Sequence, residues 1–261
     1  MTGREKIRCR GLSYIYLTRA GETLALESLD LSIREGEFCS IVGPSGCGKS
    51  TLLSLISGLL QPTEGEILLD GKPPRGTSGR IGFLLQKDHL FEWRTVLQNA
   101  ELGLEILGKS TAQARAKAHE LLSSYGLAGF EGAYPYQLSG GMRQRVALVR
   151  TLATDPDLVL LDEPFSALDY QTKLILEREV HGVIRASRKT ALLVTHDIEE
   201  AVSMSDRVIV LSGRPARVKN VYDVRLTLPG ERTPMTTRDA PEFRTYCRSI
   251  WEDLDIERRV L

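Results

Sequence analysis

An α/β fold, a largely parallel sheet covered by helices with a helical lobe set into it, is predicted from two features of the 261-residue chain. Strand-like and helix-like patterns alternate up to residue 86 and again after residue 155, as a parallel sheet covered on both faces requires. Between these stretches helical periodicity recurs with no strand, which predicts an inserted lobe. The hydrophobic share, 42%, is enough to fill a sizeable core.

The opening strands are read at residues 7–12, 29–33 and 38–42. The last is a compact apolar run that enters a glycine-rich turn and then a helix over 49–57, ended by Gly58 and Pro62. Strands follow at 66–69 and 81–84. Residues 94–107 and 111–125 carry helical periodicity, and a third helix starts at Gly140 and reaches Ala153. Then come a strand at 158–161, a helix at 170–185, a strand at 191–194, a short helix near Ile198 and a strand at 207–211. Residues 231–239 read as loop, and Asp239-Ala-Pro-Glu opens an amphipathic helix that reaches Leu254.

Composition excludes several classes. Lys and Arg total 34 and Asp and Glu total 34, so no net charge is available to bind a polyanion, and nucleic acid is not an expected partner. The stretch from Met1 to Leu12 is charged and lacks the apolar segment of a secretory signal. The longest apolar run, 52–60, is interrupted by Ser54, Ser57 and Gly58 and is too short to span a membrane. Cys9, Cys39, Cys47 and Cys247 are scattered without metal-ligand spacing, as reduced thiols would be.

The sequence Gly43-Pro44-Ser45-Gly46-Cys47-Gly48-Lys49-Ser50-Thr51 fits G-x-x-x-x-G-K-[ST] between a strand and a helix. Polyphosphate presents closely spaced anionic oxygens. Glycines let the backbone curl so that successive N–H groups converge on them, and the following helix adds its positive end. Lys49 reaches the β- and γ-phosphates as a point charge, and the Ser50 hydroxyl is placed to ligate Mg²⁺. Cys47, inside the loop, is expected to be open to alkylation when the site is empty.

Residues 158–161 are continuously apolar, so Asp162 and Glu163 emerge at a strand's carboxyl end, the edge where parallel sheets bind ligands. Asp162 can hold Mg²⁺, and Glu163 can polarise the attacking water. His196 follows the apolar run 191–194 and Thr195 to the same edge. It is read as a γ-phosphate contact, the alternative being a histidine satisfied at a strand end. Gln86 follows 81–84 similarly; its amide touches Mg²⁺ or the water, or it is a solvated glutamine.

A second glycine turn, Ser139-Gly140-Gly141, opens the helix that starts at Gly140. Ser139 is a natural N-cap, and the N–H groups of Gly140 and Gly141 would face outward as a second anion site. An ordinary helix cap fits the same residues. One chain holds one ATP in its phosphate loop, so the second site needs another molecule's γ-phosphate. Two copies packed head to tail would supply it.

The phosphate loop, Gln86, LSGGMRQ, LLDEP, Ser166-Ala167-Leu168-Asp169 and His196 together resemble, in order and approximate spacing, an ABC ATPase, over essentially the whole chain. The resemblance implies a P-loop NTPase of ABC ATPase type. Its ATP-binding core would comprise residues 1–86 and 156–222, with a mainly parallel sheet and an N-terminal antiparallel β-subdomain. An α-helical subdomain, 87–155, would be inserted, and 223–261 would form a short C-terminal loop and helix. It further implies that Glu163, His196 and Gln86 act in hydrolysis, that residues 43–51 bind ATP, and that Ser50, Gln86 and Asp162 hold Mg²⁺. Ser139, Gly140 and Gly141 would bind ATP in trans, and Asp169 would lie in the loop that crosses the dimer seam. Tyr16 matches the aromatic that stacks on adenine; Tyr14, or a plain strand aromatic, fits less well.

A single nucleotide domain of this kind looks like a bacterial importer subunit. "SDRVIVLSGRPARV" and "EFRTYCRSIWEDL" resemble the nitrate/sulfonate/taurine group, with Ala216 where glycine is usual. "HLFEWRTV" is similar to the family's membrane-protein contact, with Glu92 where proline is usual; Leu90, Phe91 and Trp93 are either that contact or buried core. Implied partners are a second ATPase subunit, identical or similar, two transmembrane permease subunits and, indirectly, an extracytoplasmic solute-binding protein. The implied location is the cytoplasmic face of the cell membrane, held peripherally. A soluble non-transport ABC protein would resemble a tandem or coiled-coil-interrupted chain, and a small-molecule kinase would leave Ser139–Gly141 idle.

Overall fold

The structure, a computed structural model, describes residues 4–19, 21–74, 79–166 and 168–254. Ala167, in the segment read as crossing a dimer seam, and residues 255–261 lie outside them. Two compact units are present, residues 1–76 with 181–261, and residues 77–180.

In the first unit, β1 (Glu5–Thr18) pairs antiparallel with β2 (Gly21–Arg34) on one side and with β4 (Glu64–Leu69) on the other. Both long strands exceed their predicted lengths. The pairing shifts register between Cys9 and Leu12, between Leu12 and Tyr14, and between Tyr14 and Ile15. Each shift interrupts the two-residue alternation by which a strand is read.

The same unit carries β7 (Thr190–Thr195), β3 (Phe38–Val42) and β8 (Arg207–Leu211) side by side in parallel, with β9 (Val218–Asp223) antiparallel on β8. Strands β3, β7 and β8 are buried throughout, which is why they read as continuous apolar runs. Sequence reading misses β9, because most of its residues face solvent and no apolar pattern marks it.

Helix α1 (Lys49–Ile56) follows β3, and α6 (Ile198–Met204) follows β7. The C-terminal helix α7 (Phe243–Asp253) places Phe243 and Ile250 in a cluster with Ala201, Val202, Val208 and Val210. It begins four residues later than expected. Ala240 precedes Pro241 and is extended (φ −66°, ψ 138°), because a proline pushes the residue before it out of helical conformation. A 3₁₀ turn, Thr236–Asp239, occupies the end of the stretch read as loop.

The second unit holds β5 (Ile81–Leu84) parallel to β6 (Leu158–Asp162), and the helices α2 (Val96–Ile106), α3 (Ala112–Ser124) and α4 (Gly140–Ala153). Helix α5 (Tyr170–Ala186) begins here and ends in the first unit. Thr95 and Gln98 form a reciprocal capping box at the start of α2, and the Thr111 hydroxyl caps α3. Leu104, Ala118 and Ala153 bring the three helices together. No helix among the described residues is long and apolar enough to cross a membrane.

Candidate active site

In the first unit, β3 delivers the chain at Val42 into residues 43–48, and α1 begins at Lys49. Gly48 caps the helix with φ 123°, and a Cβ there would lie 2.9 Å from Leu26 Cδ2 and 3.1 Å from the Ala25 carbonyl oxygen. Backbone conformation and space both demand glycine. Lys49 Nζ donates to the carbonyl oxygens of Gly43 (2.8 Å) and Pro44 (3.1 Å), which folds the lysine over the loop. The first turn of a helix leaves backbone N–H groups without intrahelical acceptors, so the start of α1 suits an anion.

Tyr16 joins this site: its hydroxyl lies 3.0 Å from Thr51 Oγ1, and the ring, 38% exposed, meets Tyr14 edge-on at 4.8 Å. Cys47 corrects an expectation. It is 1% exposed, with Sγ turned toward Gly43, and burial raises its pKa, so the thiol is not open to alkylation. Because Val42 pairs with Thr195 in register, Gly43 and His196 leave the sheet at the same level. His196 is exposed and borders a cavity of about 440 Å³ with Asp197, Cys247 and Trp251.

In the second unit, Leu84 pairs with Leu161, so Gln86 and Glu163 stand at one sheet edge. Gln86 Nε2 donates to Glu163 Oε2 at 3.3 Å. Asp162 is the last residue of β6 and is buried. Glu163 has φ 46°, a left-handed conformation that costs a non-glycine residue free energy and is concentrated at functional sites. The Ser166 N–H and hydroxyl both donate to the Glu163 carbonyl oxygen, at 3.3 and 3.0 Å, and hold that turn.

Ser139 caps α4, its hydroxyl accepting from the Met142 N–H at 3.3 Å. The turn borders a cavity of about 320 Å³ with Arg145, Asp169 and Thr172. Asp169 Oδ1 accepts from the Thr172 N–H at 3.0 Å, and hydrogen bonding to Thr172 holds its carboxyl below the usual range. The Gln144 side chain donates to the Pro164 carbonyl oxygen at 2.8 Å, tying α4 to the turn after Glu163.

Sequence reading misses three arginines of α4. Arg145 brings a cation to the cavity at Ser139; its spacing from Gly141, i and i+4 on one helix, is the signal that could have found it. Arg143 Nε donates to Asp88 Oδ2 at 3.1 Å, and Arg150 donates to the carbonyl oxygens of Asp88 (2.6 Å) and His89 (2.8 Å). Both hold the loop after Gln86, and only the tertiary fold reveals them. In that loop Leu90 is buried while Trp93 is 73% exposed and packs on Phe91 at 4.8 Å, so core and surface divide the three residues.

The model of the ABC transporter family matches residues 26–166. An uncharacterized ABC transporter ATP-binding protein, YtlC of Bacillus subtilis, is 44% identical over 94% of both chains. The taurine import ATP-binding protein TauB of Pelagibacter ubique is 41% identical, over 94% of this chain and 96% of its own. The nitrate import ATP-binding protein NrtD of Synechocystis is also 41% identical, over 92% and 91%. Among solved structures, a dimeric post-hydrolysis state of the cassette MJ0796 bound to ADP and Pi superposes with a TM-score of 0.75 at 34% identity, covering 84% of this chain and 99% of that one. Taken with the phosphate loop and the Gln86–Glu163 pair, these likenesses show that the chain belongs to the ABC transporter family, as an ATPase with the P-loop α/β fold of ABC cassettes.

Proposed function

We propose that the chain is the ATP-hydrolysing subunit of a bacterial importer for a small solute of the nitrate, sulfonate or taurine kind. The observation that carries this reading is the presence of two anion-ready helix starts in one chain, at Lys49 of α1 and at Gly140 of α4. The second has a use if two subunits, identical or similar, pair head to tail, so that Ser139, Gly140 and Gly141 close on the γ-phosphate held by the partner. The dimeric, nucleotide-bound relative and the taurine and nitrate import relatives support it.

In this reading residues 43–51 cradle the phosphates, with Lys49 moving its ammonium from the loop carbonyls to the β- and γ-oxygens. Tyr16 stacks on adenine. Glu163, oriented by the Gln86 amide, polarises the attacking water, and His196 steadies the γ-phosphate. Asp169 sits at the dimer seam. Mg²⁺ fits the donor set, since Ser50, Asp162 and the Gln86 amide oxygen are hard oxygen ligands. When bound, it neutralises charge developing on the β- and γ-oxygens.

Functionally, residues 1–86 and 156–222 make the ATP-binding core, 87–155 a helical subdomain that receives the membrane partner, and 223–261 a C-terminal extension. Exposed Trp93 is the best candidate in the helical subdomain for the contact with a permease subunit, which would hold the chain peripherally at the cytoplasmic face of the membrane. ATP drives transport by binding the closed dimer better than the open one. Affinity capture from detergent-solubilised membranes tests the reading. Recovery of integral membrane subunits, lost in Trp93→Glu, is expected; recovery of the ATPase alone would contradict it.

A further inference from the structure

The turn between β8 and β9, residues 212–217, reaches back to the phosphate loop. Arg214 Nη2 donates to the Gly46 carbonyl oxygen at 2.9 Å. The turn is braced from within and from outside. Ser212 Oγ donates to the carbonyl oxygens of Gly213 (3.0 Å) and Pro215 (3.2 Å) and accepts from the Arg217 N–H at 2.9 Å. The Ala216 N–H donates to the Ala25 carbonyl oxygen at 2.9 Å, and the Ala216 carbonyl oxygen accepts from the Glu27 N–H at 3.1 Å. Arg217 pairs with Glu27 at 2.6 Å. The β2 segment that anchors this turn also packs against Gly48, and Leu211 packs against Gly43. Arg214 thus projects from a fixed platform onto the crest of the loop.

We infer that Arg214 is a positioning residue for polyphosphate, holding the peptide after Gly46 in the orientation that ATP requires and placing a second fixed cation beside Lys49. In a trans peptide the C=O and N–H point in opposite directions; the Cys47 N–H donates to the Pro44 carbonyl oxygen at 3.2 Å, so Arg214 and Pro44 pin the two ends of the peptide after Gly46. Gly46 has φ 72°, and glycine is the residue least able to hold a peptide orientation by itself. A guanidinium stays charged at every physiological pH, and its planar fork can keep the carbonyl while offering other N–H groups to phosphate oxygens. The inference rests on residues 43–51 being the phosphate loop.

The test compares Arg214→Ala, Arg214→Lys, Arg214→Gln and Lys49→Ala for ATP hydrolysis, for binding of ATP and ADP, and for thermal unfolding without nucleotide. Arg214→Ala is expected to raise KM for ATP about tenfold, as loss of a charged hydrogen bond does, with kcat falling less than about threefold. Nucleotide-free unfolding should stay near wild type, while the stabilisation by ATP shrinks. Arg214→Lys should recover part of the affinity. Arg214→Gln, which can keep a donor but not the charge, carries the same test if the alanine variant does not fold. A KM within twofold of wild type in both Ala and Gln variants, with Lys49→Ala unable to bind, would overturn the role of Arg214 alone. Wild-type ATP binding by Lys49→Ala would instead remove the phosphate-loop reading, and this inference with it.

Discussion

Gln86 and Glu163, 77 residues apart in sequence, meet through a 3.3 Å hydrogen bond from amide to carboxylate. The amide pins one carboxylate oxygen while the left-handed backbone of Glu163 sets the direction of the side chain. Glu163→Gln should therefore keep ATP binding but lower hydrolysis at least about a hundredfold, the span of a lost general base. Gln86→Ala should lower kcat by about tenfold, as expected when a base is left in place but unaligned. Steady-state hydrolysis beside equilibrium binding of ATP measures both; a fully active Glu163→Gln would contradict the role.

Ser139→Arg places a long cation in the turn that caps α4. Turnover should disappear, while each isolated chain still binds ATP with wild-type affinity. Binding measured at concentrations too low for dimers separates the two effects. Loss of ATP affinity in the monomer would count against a site in trans.

Gly48→Ala must put a Cβ within 3.1 Å of a backbone carbonyl at a φ that alanine rarely adopts. It should cost about 1–3 kcal/mol of stability and sharply weaken ATP binding, both visible in thermal unfolding with and without nucleotide. An unchanged midpoint would show that the loop does not need this conformation.

His181 is buried against Phe38 at 5.9 Å and accepts from Arg185 Nε at 3.3 Å. Burial, reinforced by Arg185 and Arg232, lowers its pKa from 6.5 to about 4. The folded protein thus resists a proton that the unfolded chain accepts. This contribution to stability is complete above pH 6.5 and is lost as pH falls from there toward about 4. At pH 5 the loss is about 2 kcal/mol, which should lower the unfolding midpoint by about 5 °C. His181→Gln should remove that part of the pH dependence, and identical profiles for variant and wild type would refute it.

Much of the fold is legible in sequence because its central strands are buried on both faces. Strands β3, β5 and β8 and helix α4 begin and end where the apolar runs and glycine turns place them. The N-terminal strands are underestimated because bulges break their alternation, and β9 because it faces solvent. Among the candidate site residues, the legible ones sit directly after apolar strands or at helix starts. Arg143, Arg150 and Arg214 are not legible, since each finds its partner only when distant segments fold together. The inward turn of Cys47 is likewise a packing outcome: a curled loop has an inside, and sequence does not say which side chain takes it.

The central claim is that one chain's Ser139–Gly141 turn completes the nucleotide site of another. Its most direct test is an experimental structure of the ATP-loaded Glu163→Gln protein. The expected result is a head-to-tail dimer with Ser139 and the Gly141 N–H about 3 Å, hydrogen-bond distance, from the γ-phosphate bound by Lys49 of the partner subunit. A structure with that turn remote from every nucleotide would contradict the claim.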